Sequence, residues 1–376
     1  MATRAREKSG KHRFRFWMLL LCVLYPLIAS GTLEPETAVI PVRFEAYPSM
    51  ATLPGSPPSK DSRESGSAVN IVLPVSAFAS GNRAGYADSG GSILWAGNRS
   101  GIAAMDDSGW SSSVSDGGFS VSDPFGKALF ETRLEGYPFF QAGRRFALRE
   151  DQRGVTEIDT RGQALWTKEF PSIVTAFSAG GDIAAFGLLD GSIRSFARDG
   201  TEEIPIIPAG SRLSCIYSLA VSPDGKDIAA ISGQDPQRFV VYRREGIAYT
   251  PAFRKDIPEA SVRPLSAGFS ADGSTLVAAI ENGLVFFDLT GDRFRTLKNG
   301  LEDSYVRKIL SLSGTTPLLM TLEGKNGRMA VGAISAAGTA LLRFSFAASD
   351  ADIVASGEGF VLALDDGLYR YEAVQR

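Results

Sequence analysis

The chain has one histidine in 376 residues, His12, and two cysteines, Cys22 and Cys215. His12 stands among the basic residues of the N-terminus, so everything after it lacks imidazole. That removes Ser-His-Asp and Cys-His catalysis from the body of the chain, along with histidine-ligated zinc, copper and non-haem iron and histidine-based pH sensing. Carboxylate chemistry and oxygen-ligated calcium stay open. Cys22 lies in the N-terminal apolar run, which leaves Cys215 without a disulfide partner in the body. Residues 213–217 around it read as an apolar strand, where a buried, inert thiol is expected. Long apolar runs are also scarce. The longest, residues 16–30, falls short of the roughly 20 residues a helix needs to cross a bilayer.

What precedes that run gives it meaning. Up to Gly31 there are six basic residues and one acid, leaving 33 basic and 41 acidic residues, a net −8, for the rest. An acidic body repels phosphate backbones and anionic headgroups, which argues against nucleic-acid partners and broad membrane contact. A basic stretch, an apolar run broken by Pro26, and the small residues Ala29, Ser30 and Gly31 fit a secretory signal. An uncleaved anchor, with Trp17 and Tyr25 at the two interfaces, is the competing reading. Lipidation at Cys22 is a third, weakened by Leu21 before it. Export, with a periplasmic body that an uncleaved segment would anchor in the inner membrane, is the expectation for residues 1–31.

Residues 32–68 read as a Pro/Ser/Gly-rich tether whose middle has too little apolar surface to fold. Within it, residues 38–44 form a candidate edge strand, which Pro41 keeps out of a sheet interior. From 69 to 376 the text becomes repetitive. Glycine is abundant, at 40 residues, and often follows aspartate between short apolar runs, the punctuation of hairpins. Phe177, Val221, Phe269, Leu312 and Val354 recur at intervals near the 40–45-residue period of four-stranded propeller blades. Alanine pairs (Ala184-Ala185, Ala229-Ala230, Ala278-Ala279) follow on a second strand that must pack tightly between neighbours. Residues 126–132 and 162–168 match as another repeat. Residues 82–123 read as a first blade with Ile93-Leu94-Trp95 on an inner strand. The expected fold is an all-β propeller of four-stranded antiparallel blades, seven in number, with six and eight as alternatives. The last unit, 352–374, supplies three strands, and residues 69–73 are the expected fourth.

Val221-Ser222-Pro223-Asp224-Gly225-Lys226 and Phe269-Ser270-Ala271-Asp272-Gly273-Ser274 resemble the bacterial WD40-like and TolB-like propeller repeat. Ile158-Asp159-Thr160-Arg161-Gly162-Gln163-Ala164-Leu165-Trp166 resembles the quinoprotein-type blade motif shared by BamB-type propellers. The strict WD40 Gly-His and Trp-Asp pairs are missing from the body, so the resemblance implies a superfamily fold and not one activity.

No residue receives a catalytic, cofactor-binding or metal-ligating role, and no cofactor is expected. Asp190, Asp224, Asp272 and Asp366 precede glycine and read as turn residues, since no calcium-loop pattern surrounds them. Asp106-Asp107, Glu202-Glu203 and Asp365-Asp366 read as surface charge, because neighbours on a strand point to opposite faces. Arg144-Arg145 and Arg243-Arg244 fit either a funnel for an acidic partner or solvated faces. Trp95 and Trp166 fit the core. The leading expectation is a non-enzymatic envelope scaffold that binds protein partners through loop faces. A carboxylate-based carbohydrate-active enzyme, or a propeller that binds a small ligand or glycan, is the alternative.

Overall fold

A computed structural model describes residues 37–47, 75–114, 117–257, 259–299, 301–312, 318–357 and 359–375. The compact unit is Val39–Glu372. Of the other unit, Met1–Ala38 with Ala373–Arg376, only the strand ends 37–38 and 373–375 are described. The export segment expected over 1–31 therefore lies outside the described residues, and no helix among them is long and apolar enough to cross a membrane.

The described strands form eight antiparallel sheets, each a blade. Their innermost strands are Val75–Ser80, Ala104–Asp106, Tyr137–Gln141, Val174–Gly180, Leu213–Val221, Ala267–Phe269, Tyr305–Leu312 and Asp352–Ser356, for blades one to eight. All five apolar anchors of the repeat stand on these strands. The count is eight and not seven because residues 82–123 are two blades. Ile93–Asn98 is the outermost strand of blade one, and Ala104–Asp106 opens blade two. A link of five residues, 99–103, hides that boundary from the sequence rhythm.

Blade one has three strands, and its direction follows from that odd number. A four-stranded blade returns the chain to the face where its inner strand began, here named the upper face. Three strands leave the chain on the face opposite the one where they began. Blade one therefore starts at the lower face, so that blade two can start at the upper one. The contacts show this reversal. Between blades eight and one, Ser76 Oγ donates to Ala355 O and Ala79 N to Asp352 Oδ2, so the numbering runs in opposite senses. Between blades four and five it runs in one sense, Thr175 Oγ1 donating to Ile216 O and Val221 N to Ser178 Oγ. Blade four also has three regular strands, but the bridges Ile193↔Ile206 and Phe196↔Glu202 supply a fourth rung.

Blade eight is closed by Thr37–Ala46, which lies outside Gly367–Gln375. The edge strand expected at 38–44 thus completes the ring and occupies the position assigned to 69–73, a segment outside the described residues. Phe44 packs on Tyr369 with ring centroids 4.6 Å apart.

The core lies between blades, not inside one sheet. Phe146 of blade three is fully buried, with ring centroids 5.0 Å from Phe177 and 6.1 Å from Phe186 of blade four. Phe239 and Phe287 join blades five and six at 5.8 Å. Each such ring removed from water contributes about 1.5–3 kcal/mol. The expected alanine pairs are all buried on second strands, where a larger side chain would push the blades apart. The repeated Asp-Gly turn is built as its sequence suggests. Ser270 Oγ donates to Asp272 Oδ1 at 2.5 Å, and Gly273 takes the left-handed φ of 72° that lets the hairpin close.

Candidate functional site

A cavity of about 630 Å³ runs along the central channel from its lower mouth. Ser76, Asp107, Gln141, Lys308 and Asp352 line it, from blades one, two, three, seven and eight. An inner strand presents an unpaired edge to the channel, so every second N–H there needs a partner. On blade one, aspartates meet that need. Ala77 N donates to Asp107 Oδ1 at 2.9 Å, Ala79 N to Asp352 Oδ2 at 3.0 Å and Gly81 N to Asp350 Oδ2 at 2.9 Å. The period of two matches the strand.

These bonds decide what the acids can do. Asp352 is engaged at both oxygens, since Lys308 Nζ donates to Oδ1 at 2.6 Å. Asp106 Oδ1 accepts from Ser108 N and Ser108 Oγ. Asp106 and Asp107 are each held at one oxygen only, Asp107 by the Ala77 N–H of the neighbouring blade and Asp106 within its own turn. The Asp107 side chain is exposed to the channel. Desolvation above all, with the like charges of Asp106 and Asp352, pushes its carboxyl above the usual range. The Ala77 N–H and Lys308 pull the other way. Among the described residues, no three His, Cys, Asp or Glu side chains converge to hold a metal ion.

The residues singled out by sequence distribute as follows. Asp190, Asp224 and Asp272 each accept bonds from within their own turns. The Ser270 hydroxyl, more than the Ser274 N–H and hydroxyl, lowers the Asp272 carboxyl pKa, so the ionised form belongs to the turn. Asp366 accepts from Tyr369 Oη at 2.7 Å. The surface-charge reading fails for two acidic pairs. Asp106 and Asp107 line the channel, and Glu203 is buried against Arg244 while Glu202 pairs with Arg194. Arg144 and Arg145 are buried too. Arg144 forms a two-pronged bond with Glu157, and Arg145 lies within 5.9 Å of the Phe130 and Phe140 ring centroids. Arg243 pairs with Asp227 at 2.9 Å. Trp166 is buried, and Trp95 packs on Tyr86 and Trp110 while its indole N–H reaches Pro124 O. Cys215 is half-buried, and desolvation raises its thiol pKa, the inert state.

A second feature went unnoticed in the sequence. Tyr137, Ile173, Leu189, Leu213, Val262 and Tyr305, between 38% and 81% exposed, all lie on connections or strand starts at the upper face. Leu189 N donates to Ile173 O at 2.9 Å, and the Gly191 turn abuts Ser214 beside Leu213, so these three aliphatics adjoin across blades three to five. Arg263, next to Val262, stacks on the Tyr305 ring at 5.1 Å. The available signal was aliphatic residues beside turn residues, as in Pro171-Ser172-Ile173 and Leu189-Asp190-Gly191, where polar ones are the rule.

Comparison with known proteins fits this architecture. The chain is 25% identical over 168 residues to an uncharacterized protein of Treponema pallidum (strain Nichols), covering 45% of each chain. It therefore spans less than half the length of that relative. The crystal structure of BamB from Moraxella catarrhalis superposes with a TM-score of 0.52 at 13% identity, over 75% of this chain and 89% of that one. That likeness concerns fold alone. A family model described as beta-propeller protein matches residues 6–375, and the chain belongs to that family.

Proposed function

We propose that this protein is a non-catalytic interaction module of the bacterial envelope, a rigid ring that holds a protein partner on its upper face. The observation that carries the reading is the group of exposed aliphatic and aromatic side chains gathered on that face across five blades. Ile173, Leu189 and Leu213 are 38–47% exposed, so covering what remains of each would contribute about 1 kcal/mol, together enough to help anchor a partner. The export signal expected at residues 1–31 and the fold shared with BamB support a periplasmic setting. An acidic body with a locally apolar face favours a protein partner over nucleic acid.

The rival reading, a carboxylate-based glycosidase, needs an acid and a base free to act on opposite sides of a bond. Asp352 is tied at both oxygens and Asp106 is held in its own turn, which weighs against it.

The test is photocrosslinking in cells from probes placed at Leu189 and Leu213, with a probe at Phe125 on the lower face as control. A discrete protein adduct from the upper-face positions only, lost in a Leu189→Asp/Leu213→Glu variant that still melts cooperatively, is expected. Equal adducts from both faces, or none from the upper one, would overturn the proposal.

A further inference from the structure

We propose that the cavity along the central channel binds a small organic cation, an amine or guanidinium of monosaccharide to dipeptide size, on the open oxygen of Asp107. The site is separate from the upper-face patch, so the proposal stands whether or not that patch docks a partner.

Four observations lead there. The cavity of about 630 Å³ falls within the range of sites that enclose small molecules. Its ionisable lining is unbalanced: Asp106, Asp107 and Asp352 face one cation, Lys308, which is committed to Asp352. Among the described residues, Asp107 and Asp106 each keep one oxygen without a hydrogen-bond partner, and the Gln141 amide on the adjoining blade three makes no hydrogen bond that would occupy it. Phe140 and Met105 add apolar wall for the body of a ligand.

The electrostatics give the sign. Asp106 from blade two, Asp352 from blade eight and Lys308 from blade seven are the charged groups facing Asp107. Arg145 of blade three touches the same turn through Ser108 O, at 3.5 Å. Blade one contributes neutral residues at the cavity, Ser76 to Ala79. The two aspartates outweigh the single lysine, and a bound cation would relieve their repulsion and stabilise ionised Asp107. A divalent metal is the wrong guest, because the carboxylates do not converge in threes. An ammonium or guanidinium needs only one carboxylate oxygen, a neighbouring amide and room, which are what the cavity supplies.

The test is titration calorimetry of the full-length protein in detergent with agmatine and glucosamine, using N-acetylglucosamine as the uncharged control. Saturable one-site binding of at least one cation is expected, with no binding of the control. Affinity should fall as pH is lowered from 8 through the raised Asp107 range, since a protonated carboxyl does not hold the cation. Asp107→Asn keeps an oxygen for the Ala77 N–H, so the strand edge survives, and should bind at least tenfold more weakly. Should that variant melt early, Gln141→Trp, which fills the cavity and leaves Asp107 intact, replaces it with the same expected loss. Lack of saturable binding by both cations, equal binding of N-acetylglucosamine, or unchanged affinity in a folded variant would each overturn the proposal.

Discussion

Replacing Arg144 with alanine puts the buried polar chemistry of the ring to a quantitative test. Its side chain is 1% exposed and that of Glu157 is 3% exposed, and two parallel bonds of 2.7 and 2.6 Å join them. A third bond, from Arg144 NH1 to Asp182 O at 3.2 Å, ties blade three to the first turn of blade four. Arg144→Ala leaves the Glu157 carboxylate in a dry interior without its counter-charge, which costs about 3–5 kcal/mol. For a domain of this size, that corresponds to a melting point lower by roughly 6–15 °C. The reasoning makes a second demand. Arg144→Met with Glu157→Leu removes both charges while keeping much of the volume, and a buried pair replaced in that way is often neutral. Only the Asp182 carbonyl then lacks a donor, at about 1 kcal/mol. Differential scanning calorimetry of the wild type, both single variants and the double variant measures the cycle. A single variant that melts within about 2 °C of wild type, or a double variant as unstable as the worse single one, would refute the account of the pair.

Two further predictions concern closure and acid stability. Deleting residues 37–47 bares the outer edge of Gly367–Gln375, so light scattering after gel filtration should show association, and a synthetic peptide of the deleted sequence should restore the monomer. Asp288, held at about 2 chiefly by the Thr290 hydroxyl and then by Arg293 and turn N–H groups, contributes stability that is full above the unfolded carboxyl value of about 3.9. That contribution is lost as pH falls through about 2, so Asp288→Asn should lower the melting temperature at pH 6 and flatten its decline between about pH 4 and 2.

The parts of the ring that could be read from the sequence are those where packing and turn chemistry agree. Phe177, Val221 and Phe269 mark inner strands because an inner strand must be apolar to meet its neighbours, and Asp272-Gly273 marks a hairpin because the turn requires that chemistry. Outer strands were harder to read. Arg293–Lys298 is mostly exposed, so its composition resembles a loop's. The boundary between blades one and two was lost because blade one has no fourth strand. The channel acids escaped for another reason: Asp106 and Asp107 carry no local pattern, and only ring closure brings them opposite Lys308 and Asp352. The upper-face aliphatics are likewise scattered from residue 137 to 305 and meet only in the fold.

Blade one also shows why acidic residues in a propeller channel are poor evidence of catalysis by themselves. Its inner strand runs against that of blade eight, and a hydroxyl-to-backbone contact of the kind that joins parallel inner strands elsewhere is made there once, by Ser76 Oγ to Ala355 O. Carboxylates add the remaining connections. Asp107 reaches blade one from blade two, while Asp352 and Asp350 reach it from blade eight and the connection leading to that blade. A charged acceptor forms a stronger bond to N–H than a neutral one, which suits the two junctions of blade one, where strand direction changes. Asp350 adds Arg307 and Arg99 at the same junction, so blades seven, eight and one meet around it. Asp107, Asp352 and Asp350 thus have a first duty in the geometry of a reversed blade. What the fold leaves unspent among the described channel acids is one oxygen each of Asp106 and Asp107, and of these Asp107 is the one whose other oxygen bridges two blades.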